Sequence, residues 1–118
     1  MKARFYQDGK TIDYTPAVAL AAGDVVVLGN IIGIAQTDVP ANTLTGLDIE
    51  GVFEFVKKAN DIVTAGAAIY WDNSNKVATV TAGSGKVYAG FAIEASAATT
   101  GYVRVKINIG AAPVSVSA

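Results

Sequence analysis

The chain has 118 residues, more than half of them apolar, with nine Lys and Arg against ten Asp and Glu and neither His nor Cys. That length holds one core rather than two ordinary domains, and no apolar run approaches the roughly 20 residues of a membrane-spanning helix. Without a basic stripe, imidazole or thiol, the composition gives no reason to expect nucleic acid, membrane, metal or cofactor as a partner. MKARFYQDGK lacks the apolar stretch of a secretory signal, so synthesis and folding in a cytoplasm are expected.

Residues 1–16, MKARFYQDGKTIDYTP, are polar with scattered aromatics and end in proline. They read as an extended N-terminal arm or edge ribbon, with Phe5, Tyr6, Ile12 and Tyr14 as side chains able to anchor it on a partner. GDVVVLGN and IIGIAQT are short β-branched runs broken by Gly29, Asn30 and Gly33. TDVPANTLTGLDIEG has no clean period and reads as a loop holding at most one short strand. VFEFVKK turns Phe53 and Phe55 one way and Glu54 the other. NDIVTAGAA has a faint helical flavour, but Val, Thr and Gly are poor formers over so short a span.

Period two is clearest in the second half. AAIYW (67–71) and KVATVT (76–81) flank DNSN, a cluster of turn formers, and read as a hairpin. VYAGFAIEA places Val87, Ala89, Phe91, Ile93 and Ala95 on one face and Tyr88, Gly90, Ala92 and Glu94 on the other. YVRVKINI alternates Val103, Val105, Ile107 and Ile109 with Tyr102, Arg104, Lys106 and Asn108. The expectation is an all-β fold: a small β-barrel or β-sandwich body over 17–110 with little helix, and a flexible tail at 111–118. AAGDVVVLGN (21–30) and TAGAAIYWDN (64–73) echo one another. A duplicated β-turn-β unit would explain the echo, and so would ordinary β punctuation.

TAGSGKVYAG contains GSGK, the ending of a phosphate-binding loop. Such a loop needs a Gly five residues before Gly85 and a Ser or Thr after Lys86, where this chain has Val80 and Val87. A strand rather than a helix follows, so no helix N-terminus faces an anion. AGSG therefore reads as a turn, and no nucleotide is expected. DNSNK resembles the start of a calcium loop, but it puts Ser74 and Lys76 at ligand positions, and Lys76 repels the ion. Asp48 and Glu50 have the spacing of two carboxylates on one strand face, a spacing any acidic loop produces. Trp71 shares a face with Ile69 and Ala67, which fits a core residue, while Tyr70 beside it leaves a sugar-stacking platform open.

In order, RFYQDGKTIDYTP, LAAGDVVVLGNIIGIAQTDVPANTLTGLDIEGVFEF, TAGAAIYWD, KVYAGFAIEAS and YVRVKI resemble the small capsid cement, or head decoration, proteins of tailed bacteriophages. GVFEFVKK (51–58) and AGAAIYWDNSNKV (65–77) carry most of the resemblance. Val56 stands where family members often have Pro. The resemblance implies a β-rich, β-tulip-like body related to lambda head-stabilising proteins. It further implies a homotrimer that sits on the outer surface of the expanded head in the virion, after synthesis in the bacterial host cytoplasm. The major capsid protein and other copies would be its partners, and it would need no catalytic residue, metal or cofactor. Some relatives carry a RecA-like recombinase label, which the absent phosphate-loop anchors contradict here. Two other classes remain open from sequence: a glycan-binding barrel with Tyr70, Tyr88 and Tyr102 as its platform, and an enzyme using Asp48, Glu50 or Lys86.

Overall fold

The β-branched runs bounded by Gly and Asn form antiparallel strands. In the computed structural model, which describes residues 2–109, these are β1 (Thr11–Tyr14), β2 (Val25–Leu28), β3 (Ile31–Ala35), β4 (Thr45–Asp48), β5 (Val52–Val56), β6 (Ala68–Asp72), β7 (Val77–Thr79), β8 (Lys86–Ala92) and β9 (Tyr102–Ile107). No helix occurs among the described residues. The first sheet has the order β1-β4-β3-β2 and the second β5-β9-β8-β6-β7, so the fold is all-β. The expected tail at 111–118, and Gly110 at the end of the expected body, lie outside the described residues.

The echo between 21–30 and 64–73 marks a duplication of backbone architecture. Leu20 and Val39 exchange a pair of backbone hydrogen bonds at 2.8 Å, and Val63 and Ser96 exchange the same pair at 2.9 Å. Between these bridges, Gly23 N donates to Ala35 O and Ala35 N to Asp24 O; correspondingly, Gly66 N donates to Ala92 O and Ala92 N to Ala67 O. Gly23 and Gly66 hold their turns at φ +89° and +85°, a region open to Gly at little cost. The correspondence extends outward. Ile12 opposes Leu47 and Leu47 opposes Ala35, just as Phe53 opposes Val105 and Val105 opposes Ala92. Strands β1, β2, β3 and β4 thus correspond to β5, β6, β8 and β9. The β7 hairpin is an addition to the second unit, standing where the first has only the Gly29-Asn30 turn.

The second sheet curls until its two ends meet. Lys57, just past β5, forms a parallel bridge with Ala78 on β7, and Lys58 N donates to Ala78 O at 2.8 Å. The contact is a single bridge, and the sheet does not close as a barrel. Inside it, Ile69, Ala78, Ala92, Val103, Val105 and Ile107 are buried, and Ile32 and Ile34 of β3 join the same core from the first sheet. Full burial of each Val or Ile contributes about 1.5–3 kcal/mol. Gly33 and Ala35 alternate with those isoleucines and face the other way, with Leu47, Ile12 and Tyr14.

The expected two-faced strand over 87–95 is interrupted. Pairing between β6 and β8 runs Ile69 to Gly90 and then Tyr70 to Tyr88, so Ala89 is an extra, bulged residue. Val87 before the bulge, Ala89 within it and Ala92 after it all meet the core, whereas Ile93, read on one face with Val87 and Ala89, is 43% exposed beyond the strand's end. Gly90 makes this possible with φ +145° and no side chain; a Cβ there would lie 1.9 Å from Lys106 O. Gly90→Ala is expected to cost more than about 3 kcal/mol, because backbone cannot yield as a flexible side chain does. Chemical denaturation of the variant checks this, and a loss below about 1 kcal/mol would contradict the packing described.

Candidate functional site

GVFEFVKK ends in a lysine whose side chain turns inward. Lys57 is 4% exposed, and its ammonium donates to Asp61 O at 2.7 Å, Ser96 Oγ at 2.9 Å and Ala97 O. Three donors meet three neutral acceptors, which is the full capacity of an ammonium. Ser96 Oγ passes the link onward by donating to Tyr102 O at 2.7 Å. Asp61 in turn accepts from Thr79 Oγ1 at 2.7 Å and from Val80 N. The network ties the β5 end, the 58–63 connection, the β8–β9 connection and the β7 end together. It positions the edge of the second sheet.

The other charged candidates serve turns and strand faces. Asp72 Oδ1 accepts from Ser74 N and Asn75 N, and Oδ2 from Asn75 Nδ2, so DNSN is a side-chain-capped turn with Lys76 at φ +57°. Hydrogen bonds from Asn75, first from its side chain and then from its backbone, hold the Asp72 carboxyl below its ordinary pKa. Lys76 Nζ lies on Asn73 Oδ1 at 3.0 Å, within the turn. GSGK is a turn into β8, closed by Lys86 N to Gly83 O with Gly85 at φ +77°. Asp48 accepts from Thr11 Oγ1 at 2.7 Å and from Gln36 Nε2, while Glu50 stands exposed beyond the strand. Among the described residues no group of three or more acidic side chains gathers as a metal site.

Trp71 is buried, 5.8 Å from Phe55 between ring centroids, with its Nε1 donating to Asn73 Oδ1. Tyr70 and Tyr88 form an edge-on pair at 5.8 Å, and Tyr88 OH donates to Ile109 O. Tyr102 belongs to a different surface, opposite Val56 and beneath Arg104, whose guanidinium lies 5.3 Å from the ring centre. Glu54 and then Glu94 bond Arg104 and raise its pKa above the ordinary value. The tyrosines of the glycan expectation are therefore divided between two places.

What remains on the surface is apolar and extended. Phe5 and Tyr6 are 80% and 82% exposed on a segment, Lys2–Lys10, that forms no strand. Ile12 and Tyr14 are half-buried on β1, at the edge of the first sheet and on the face turned away from the second. Val52, Val56 and Tyr102 add an exposed apolar strip across β5 and β9. A cleft of about 560 Å³ separates the start of β2 from β5, with Val25, Phe53, Phe55, Val56 and Trp71 among its lining residues. Sequence reasoning found the segment through its aromatics. It missed the cleft, which exists only because the two sheets meet.

A small all-β architecture with exposed apolar side chains on its surface is what the described residues present. The family model for phage cement proteins matches residues 6–107, and the chain belongs to that family. Its role is that of a capsid-associated structural protein. No curated protein and no solved structure matches the chain.

Two outcomes test this account of the charged groups. Lys57→Ala leaves buried acceptors without donors and is expected to lower stability by about 3 kcal/mol in chemical denaturation, with Lys57→Arg failing to restore it because a planar fork does not fit three acceptors around a point. For Asp72, the folded-state pKa lies below the unfolded one. The associated stabilisation is present above an unfolded pKa of about 3.9 and is lost as pH falls through the lowered folded value. Between about pH 5 and pH 2 the melting temperature of the wild type should therefore fall more than that of Asp72→Asn.

Proposed function

We propose that this protein is a cement that binds the outer surface of the expanded head as a homotrimer, contacting the major capsid protein and stabilising the shell after its own synthesis in the host cytoplasm. It does so without catalysis, cofactor, metal or nucleotide. The observation that carries the reading is the exposure of Phe5 and Tyr6 on a segment, residues 2–8, that forms no strand among the described residues. Two large aromatics left in water are surface awaiting a neighbour. Ile12 and Tyr14 continue the same ribbon along the sheet edge, so the four side chains form one stretch of intersubunit anchors.

The physics of cementing asks little of each contact. A ligand that binds only the assembled shell raises its stability by RT ln(1 + [L]/Kd), about 2.7 kcal/mol per site at a hundredfold excess over Kd. Repetition over many equivalent sites multiplies that term, so modest contacts on a rigid β body suffice.

Co-sedimentation with undecorated expanded heads tests the reading. Removing residues 2–8 takes away no strand and is expected to leave the melting temperature within a few degrees while weakening head binding at least about tenfold. Unchanged affinity would show that the segment is not the clamp, and failure of the full chain to bind heads would overturn the proposed function.

A further inference from the structure

The duplicated architecture shows where the first unit is incomplete. In the second unit, β6 has β7 on its outer edge, with Tyr70 opposite Thr79. Its counterpart β2 has β3 on one side and no strand on the other among the described residues. Ala35 N donates to Asp24 O, so Asp24, Val26 and Leu28 turn their backbone groups toward β3, and Val25 and Val27 turn theirs outward. Val27 is the counterpart of Tyr70. Over Val25–Leu28 the edge carries neither charge nor Pro, two of the features that discourage another strand.

A second open edge faces the same cleft. Ile107 N donates to Gly51 O, and Lys57 N to Gly101 O. Alternation then turns the backbone groups of Glu54 and Val56 away from β9, in the direction in which Lys58 N reaches Ala78 O on β7. β7 covers that edge only at its far end. Phe53, Glu54, Phe55 and Val56 all line the 560 Å³ cleft, with Asp24 and Val25 on its other side and Trp71 and Ile34 also lining it. That volume is ample for a short extended peptide.

We propose that this cleft receives the N-terminal segment of a second copy of the chain, added as a strand between β2 and β5. The proposal rests on the reading of that segment as an intersubunit clamp and names its receptor. Residues 2–8 carry exposed aromatics and form no strand of their own. In an extended conformation Phe5 points one way, into the apolar cleft, and Arg4 and Tyr6 point the other. Asp24 at the cleft offers a carboxylate to Lys2 or Arg4, while Glu54 is held by Arg104 and Lys76 also lines the cleft. A neighbour is the donor because in the chain's own structure Phe5 and Tyr6 lie exposed, outside the cleft, on a segment whose root is fixed beyond β4 by Ile49 N donating to Lys10 O. Strand addition supplies backbone bonds for affinity, and Phe5 supplies register.

Amide hydrogen exchange and sedimentation of the full chain across a concentration series test this. The expected result is self-association accompanied by rising protection of the Val25, Val27, Glu54 and Val56 amides, with Phe5→Ala weakening both at least tenfold. Phe5 is exposed in the isolated chain, so the substitution does not threaten folding. Fast exchange of those amides at every concentration would overturn the proposal, as would self-association unaffected by Phe5→Ala. Protection in a monomer that is independent of concentration would also overturn it, by assigning the cleft to the chain's own segment. Head binding is read separately. Association through the cleft by a protein that ignores heads would sink the cement reading alone, and head binding with unprotected amides would sink this inference alone.

Discussion

The approach of Gly90 to the backbone of Lys106 governs the second sheet. Without a side chain at 90, β8 comes close enough to β9 to bulge at Ala89 and exchange its faces midway. Val87 before the bulge, Ala89 within it and Ala92 after it can then all face the core, which a regular strand of period two forbids. Bulges also increase local twist, and a more twisted sheet curls. The meeting of β5 and β7 through Lys57 and Ala78 depends on that curl. So does the burial of Lys57, whose acceptors come from the connections that the curl draws together.

Duplication followed by unequal elaboration accounts for the division of labour between the units. The second unit carries the β7 hairpin, the aromatic pair Phe55 and Trp71, and most of the buried core. The first unit keeps the same strand order but contributes chiefly Ile32 and Ile34 to that core. Its edges, β1 and β2, are left for other purposes. A cement protein needs both properties in one small chain: a rigid part that holds its shape, and open backbone and apolar side chains that become satisfied on assembly. Open edges at β2 and β5 beside one packed core let a small chain supply both.

Much of this was legible in the residues. Period two in YVRVKINI and AAIYW, with DNSN and AGSG as turns, fixed the fold class, because alternation and turn chemistry are local properties of the chain. The failed phosphate loop was equally local: Val80 and Val87 occupy the positions its chemistry requires. Even the duplication left a trace in the spacing of glycines and asparagines, although the trace alone did not separate shared architecture from common punctuation.

Tertiary structure decided the rest. Nothing near AGFAIEA in sequence announces that Gly90 lies against Lys106, so alternation groups Ile93 with Val87 and Ala89, although the bulge separates them. Lys57 is an ordinary surface residue by composition, and it is buried because acceptors at Asp61, Ser96 and Ala97 converge on it from separate connections. The open edges of β2 and β5 are properties of what does not pair with them. A strand's own residues specify that it will be a strand and which face is apolar. Which neighbours it gains, and which edge stays empty, is set by contacts distant in sequence, and those appear only when the two sheets are packed.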